Sequence, residues 1–193
     1  VTIIGGEPLT RKTLADFEDH LKSSGATHVR VGTAFGMSEA AGLITTTGWQ
    51  RPSDGLFDIA ALTMGRAERS HSNEHARYIA SAGTPRHGVQ VCIIDSDANA
   101  LRSNHVGRVA FSSPSLFDAY EGLPSDHLKV KVEGQALQND FIETGDLGFI
   151  IEGPHEHELA IVGRLKEAIK IGQVPYHAID LEQATAACHL ALN

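Results

Sequence analysis

The sequence predicts an α/β fold that opens as strand, helix, strand and continues as a mostly β half. Three observations carry this. Residues 1–4 form a short apolar run ended by Gly5-Gly6, as a buried strand does. Residues 10–24 then place Leu14, Phe17 and Leu21 on one helical face, with Gly25 set to terminate the helix. From Tyr78 onward, short apolar runs recur between turn residues, which is the rhythm of strands.

Taken in order, "HVRV" (28–31) reads as a second strand, running into the glycine-bearing loop "GTAFGMSEAAG" (32–42). Residues 45–77 are polar and weakly periodic, carrying Trp49, "FDIAAL" and "RAERSHSNEH". So long a connection without strong structure is expected to be functional or mobile. "GVQVCIID", "HVGRVAFSS", "DLGFII" and "ELAIVG" follow as strands. A last helix is expected from about His177 to Leu190, with Asp180 and Glu182 near its positive end.

Composition bounds the rest. The 193 residues suit one large domain, or one domain plus part of a second, and a 41% hydrophobic content is enough for a packed core. Sixteen Lys and Arg against 24 Asp and Glu leave a net charge of −8, which argues against a nucleic-acid or anionic-membrane surface. No apolar run approaches the ~20 residues of a membrane span, and "VTIIGGEPL" reads as mid-strand rather than as a secretory leader. Cys92 and Cys188 lie far apart without metal spacing, so reduced thiols in a cytoplasmic setting are expected, with Cys92 in the core. "HSNEH" and "HEHE" invite a zinc reading, but a third ligand and a protease-type glutamate are lacking. The histidines are therefore expected in solvated loops, and the charged side of "RKTLADFEDHLK" on a solvated helix face.

Two stretches carry chemistry. In "GTAFGMSEAAG", Gly32, Ala34 and Gly36 let a flat ring approach the backbone, and Phe35 offers a stacking face. Glu39 would place a carboxylate where a phosphate-bound Mg²⁺ could use it. The bland alternative is a buried glycine-rich turn with a surface glutamate. In "FIETGD" Asp146 follows a glycine at the end of one β-rich stretch, and in "IVGRLKEAIKI" Arg164 follows a glycine at the end of another. A carboxylate so held accepts two hydrogen bonds from a vicinal diol, and an arginine beside it grips phosphate or ribose. Here the alternatives are a turn-capping aspartate and a surface ion pair.

Read together and in order, "IIGGEPL", "GTAFGMSE", "ASAGTPRHGVQVCIID", "VGRVAFSSPSLFDAYEG", "FIETGDLGFI" and "LAIVGRLKEAIKI" resemble successive segments of the adenylate-forming ligase superfamily. That superfamily takes in acyl-CoA synthetases, luciferases, adenylation domains and fatty acyl-AMP ligases, and the resemblance covers nearly the whole chain. The stretch carrying "LFDIAALTMGRA" is similar to the insertion of fatty acyl-AMP ligases. "YHAIDLEQATAACH" resembles a helix start of those ligases and of the related disco-interacting domains.

The resemblance implies the later part of an AMP-binding large domain over residues 1–163, an α/β portion plus a β-rich subdomain, with an insert at about 45–77. Residues 164–193 would be the hinge and the start of a small C-terminal domain. It implies that Gly5, Gly6 and Glu7 edge an adenine, that Ala34, Phe35 and Gly36 contact it, and that Glu39 is a catalytic magnesium ligand. By the same route Asp146 holds both ribose hydroxyls, Arg164 acts near ribose and phosphate, and Lys166 is the catalytic hinge. The implied cofactors are ATP or AMP and Mg²⁺.

The implied activity is conversion of a carboxylic acid, of the fatty class, to acyl-AMP for transfer to an acyl carrier protein. The alternative is a degenerate module that binds nucleotide or acyl groups without turnover. The phosphate-binding loop and the late catalytic lysine of the superfamily have no counterpart among these residues. The chain is therefore expected to be an internal portion of a longer ligase, inactive without the rest. "IGQVPYHAID" also departs from the glycine-arginine-asparagine turn of many relatives, at Gln173 and Pro175. That departure, with an insert restraining the hinge, points away from free coenzyme A as acceptor.

Overall fold

A strand–helix–strand unit opens the fold in the computed structural model, which describes residues 2–6, 9–26, 28–124, 129–133, 140–152, 157–171 and 174–188. Strand β1 (Thr2–Gly5) and strand β2 (Val31–Phe35) pair in parallel, Thr2 opposite Val31 and Gly5 opposite Ala34. Parallel neighbours need a crossover, and helix α1 (Arg11–Ser23) supplies it. Thr10 caps that helix, its hydroxyl oxygen accepting from the Thr13 N–H at 3.0 Å. Leu14 is buried, Phe17 and Leu21 are half-buried, and the charged side faces solvent.

Strand β2 corrects one expectation. It lies at Val31–Phe35, not at 28–31, so the first four residues of the presumed loop are strand. Val31, Thr33 and Phe35 favour a strand, while Gly32 and Ala34 between them weaken the signal. Ladders to β1 on one side and to β3 (Thr45–Thr46) on the other offset that weakness.

Strands β4 (Asp54–Asp58), β5 (Ala76–Pro85), β6 (Gln90–Ile94), β7 (Gly107–Ser112), β8 (Lys129–Val130), β9 (Phe141–Glu152) and β10 (His157–Arg164) extend the sheet. Its order is β1-β2-β3-β5-β10-β9-β7-β6, with β4 added to β5 and β8 to β9. The four strands expected after Tyr78 are thus present, β9 starting earlier than "DLGFII" suggested. Beyond the sheet lie the two-stranded β11 (Ile169–Ile171) and β12 (Val174–Tyr176), then the last helix. That helix runs Ala178–Cys188, within the expected span, whose end at Leu190 lies outside the described residues.

Residues 45–77 are the second correction. They hold β3, β4, helix α2 (Ile59–Thr63) and the start of β5. Phe57, Leu62 and Ala67 from this stretch pack with Ile79, Phe149, Ile151, Ala160 and Val162 in one core. The Phe57 and Phe149 rings meet edge to face at 5.0 Å, and the Arg69 guanidinium covers Phe57 at 4.5 Å. Elements of five residues are too short to declare a period, which is why the sequence reads as loop. The segment is part of the core, and excising it would open the sheet.

Cys92 is buried as expected, and His71 and His75 are exposed. Among the described residues no cluster of three or more His, Cys, Asp or Glu could hold a metal, and no helix is long and apolar enough to cross a membrane.

The core assignment predicts that Phe149→Ala, at a fully buried position, costs about 3–5 kcal/mol. Met64→Ala, at 68% exposure, should stay within about 0.5 kcal/mol of wild type. Urea unfolding midpoints at unchanged slope measure both.

Candidate active site

A cavity of about 900 Å³ opens where the ends of β1 and β2 meet β5, β9 and β10. Its walls bring together eight residues singled out in the sequence: Gly5, Gly6, Ala34, Phe35, Gly36, Glu39, Asp146 and Arg164. Lys166 sits apart from them, exposed in the 3₁₀ turn Leu165–Glu167 that follows β10. Glu7 and Gln173 lie outside the described residues, and Pro175 lies in β12.

The wall at β2 depends on a sharp reversal. After Phe35 the chain enters the 3₁₀ turn Ser38–Ala40 and returns to β3. A Cβ on Gly36 would lie 1.4 Å from the Gly42 carbonyl oxygen, so only glycine fits there. The turn delivers Glu39 to the cavity. Its carboxylate accepts from the Ser38 hydroxyl at 2.8 Å and from the Tyr120 hydroxyl. Phe117, whose N–H donates to the Glu39 carbonyl at 2.9 Å, packs its ring on Tyr120 at 4.8 Å. The Tyr120 hydrogen bond, against the opposing effect of burial, holds Glu39 below the usual carboxylate range.

Asp146 does not end a strand, contrary to the sequence reading. Strand β9 runs through it. Arg108 opposes Leu147 and Ala110 opposes Glu143, so Val109 alone faces residues 144–146, a bulge. Gly145 adopts φ +79° at its centre. The Thr144 hydroxyl donates to the Val109 carbonyl at 3.2 Å and accepts from the Asp146 N–H at 3.0 Å. The bulge mimics a turn in sequence because its flanks stay in the ladder.

The same bulge aims Asp146 at the cavity. Its neighbour on β10 is Arg164, directly opposite in register, with Nε 3.2 Å from Oδ1. Asp146 is 6% exposed while the Arg164 side chain is 64% exposed. Burial pushes the Asp146 carboxyl above its ordinary range, and Arg164 and Thr144 pull it back in part. A carboxylate kept at that cost beside a reachable guanidinium suits a ligand that offers hydroxyl donors and an anion.

Three wall or near-wall residues escaped the sequence reading. Tyr120 lies 81 positions from Glu39, and nothing local links them. Arg77, 5% exposed, shares a β5 face with Ile79 and Ser81, so a charge on the buried side of an alternating strand was the signal available. His177 is half-buried rather than solvated, and burial and Arg77 push its pKa down.

If these contacts set the charges, Tyr120→Phe should raise the Glu39 pKa toward the ordinary carboxylate value. Arg164→Ala should raise that of Asp146 further. Carboxyl-carbon NMR titration reads both, and unmoved values would refute the assignment.

Comparison with known proteins bears on the family and the fold. The AMP-binding enzyme family matches residues 1–121. The medium-chain-fatty-acid–[acyl-carrier-protein] ligase TtuA of Teredinibacter turnerae is 27% identical over 194 residues, covering 94% of this chain and 29% of that protein. Disco-interacting protein 2 homolog A of Mus musculus is 27% identical over 193 residues, covering 91% and 13%. The crystal structure of a fatty acid AMP ligase from Legionella pneumophila superposes with a TM-score of 0.71 at 27% identity, over 86% of this chain and 28% of that one. A structure from work on fatty acyl-adenylate ligases of E. coli and L. pneumophila reaches 0.81 at 21% identity, a likeness of fold over 97% and 32%. The chain thus spans just under a third of the ligases it matches. With more than half its residues inside the family match, and with the fold of those ligases, the chain belongs to the AMP-binding enzyme family of adenylate-forming ligases.

Proposed function

We propose that this chain supplies the nucleotide-holding part of a site that activates a fatty acid as acyl-AMP and passes it to an acyl carrier protein. One observation carries the reading: four separate segments place Gly5-Gly6, Ala34–Glu39, Asp146 and Arg164 around one cavity. TtuA, whose name gives a medium-chain fatty acid and a carrier protein, supports the substrate class and acceptor. The acid attacks the α-phosphate of ATP and pyrophosphate leaves; the remainder of a ligase this size would add the phosphate loop and catalytic lysine.

In this reading Asp146 accepts both ribose hydroxyls, and its ion pair with Arg164 offsets part of the effect of burial. Arg164, largely exposed, turns its remaining N–H groups to ribose or phosphate. Gly5, Gly6 and the Ala34–Gly36 backbone wall the adenine. Glu39 stands with two hydroxyl groups at the cavity wall, and the described residues offer no three-ligand cluster. One carboxylate of this kind fits Mg²⁺ that keeps water and phosphate oxygens as its other ligands. Such an ion supplies neutralisation of phosphate charge. Lys166 serves as the hinge at the boundary between residues 1–163 and 164–193, where a short turn joins the main sheet to the separate β11–β12 pair.

In the full-length protein, Asp146→Ala should weaken AMP binding, each lost charge-assisted hydrogen bond costing about 1.5–3 kcal/mol. Glu39→Gln should leave AMP affinity near wild type and depress Mg²⁺-dependent pyrophosphate release. Calorimetry and a pyrophosphate assay separate the two effects. Wild-type behaviour in both variants would sink the site assignment. Nucleotide binding with no pyrophosphate release, for any fatty acid, would favour the non-catalytic module.

A further inference from the structure

We infer that Arg77 is a positioning residue that latches the last helix, and with it the segment after Arg164, onto the wall of the cavity. The inference rests on the proposed nucleotide site, and it concerns residues that the proposal leaves without a role. Arg77 is an arginine on the buried face of β5, only 5% exposed. Nη1 donates to Asp180 Oδ1 at 3.0 Å and Oδ2 at 3.2 Å, and Nη2 donates to the Val162 carbonyl at 2.7 Å. One planar group therefore joins β5, the end of β10 two residues before Arg164, and the first turn of helix α3 (Ala178–Cys188).

The seat is shaped for this contact. Asp180 lies in the first turn of α3, where the helix dipole also favours a carboxylate. His177 packs against Gly163, where a Cβ would lie 3.1 Å from its Nδ1. That nitrogen is buried without a hydrogen-bond partner among the described residues, beside Arg77 and Asp180. A neutral ring can rest there without opposing the guanidinium. Among the described side chains at this end of the helix, Leu181 is 39% exposed.

The consequence concerns the cavity. His177, Ala178 and Glu182 line it only while α3 is seated. Removing either partner of a buried, hydrogen-bonded ion pair leaves an uncompensated charge, so opening this contact is costly. The latch thus sets how much of the protein has α3 over the nucleotide, and it must break before that segment can turn away about Lys166.

Asp180→Asn in the full-length protein tests this, read first by hydrogen–deuterium exchange without substrate. Amides of α3 should exchange about tenfold faster or more, while those of β9 and β7 keep wild-type protection. AMP should dissociate faster, and Asp180→Glu should restore much of both. Turnover should divide by step: the ATP concentration for half-maximal adenylate formation rises, while acyl transfer from preformed adenylate holds or quickens. Loss of both steps together would mark Asp180 as merely structural and overturn the latch. Should the unpaired guanidinium loosen the sheet itself, the double variant Arg77→Met/Asp180→Asn leaves no charge there and must still free α3 alone. Unchanged α3 exchange in both variants also overturns the latch. Altered α3 exchange in a protein that binds no AMP would keep the latch and discard the nucleotide site.

Discussion

The ladder between β9 and β10 is the constraint on which the rest depends. It sets Arg164 opposite Asp146, and a slip of one residue would send every side chain of one strand to the other face. The register is held by apolar residues on these two strands: Phe149 and Ile151 on β9, Leu159, Ala160 and Val162 on β10, all nearly inaccessible. Phe57 from β4 and Ile93 and Val109 from β6 and β7 cover them from different clusters. Packing remote from the cavity thus fixes the Asp146–Arg164 ion pair at its wall. The bulge at residues 144–146 then turns Asp146 inward without breaking the ladder, since pairing resumes on both sides.

Much of the site was legible because its residues sit in short segments whose order along the chain carries information. Gly5, Gly6, Ala34, Phe35, Gly36, Glu39, Asp146 and Arg164 do converge, although they come from four places in the sequence. The local geometry was less legible. Gly145-Asp146 and Gly163-Arg164 read as turns, yet the first is a bulge within a strand, because a left-handed glycine looks the same in either setting. Residues 45–77 read as a long loop because β3, β4 and α2 are too short to show a period, and their burial is decided by partners about a hundred residues away. Tyr120 and Asp180 were invisible as partners for the same reason: pairing across 81 or 103 positions leaves no trace in spacing.

The two arginines at the cavity show how burial divides roles between identical side chains. Arg77 spends its donors on Asp180 and the Val162 carbonyl and has little surface left for a ligand. Arg164 makes one ion pair through Nε and keeps most of its side chain in reach of whatever enters. They are nevertheless linked, because the Val162 carbonyl that Arg77 holds lies two residues before Arg164. Disturbing the buried arginine would therefore reach the exposed one through the backbone of β10.

The charge of the cavity wall also bears on what must accompany a nucleotide. Among the described lining residues, Glu39, Asp146, Glu167 and Glu182 stand against Arg77 and Arg164, four carboxylates to two guanidiniums. Arg77 is already neutralised by Asp180, so Arg164 is the cation among them that is open to a ligand. A triphosphate entering this wall alone would meet repulsion that low dielectric strengthens. The nucleoside end suits the site as it stands, since ribose hydroxyls are donors and Asp146 is an acceptor. The phosphate end needs added positive charge, and a divalent cation beside Glu39 would turn the most repulsive part of the wall into an attractive one.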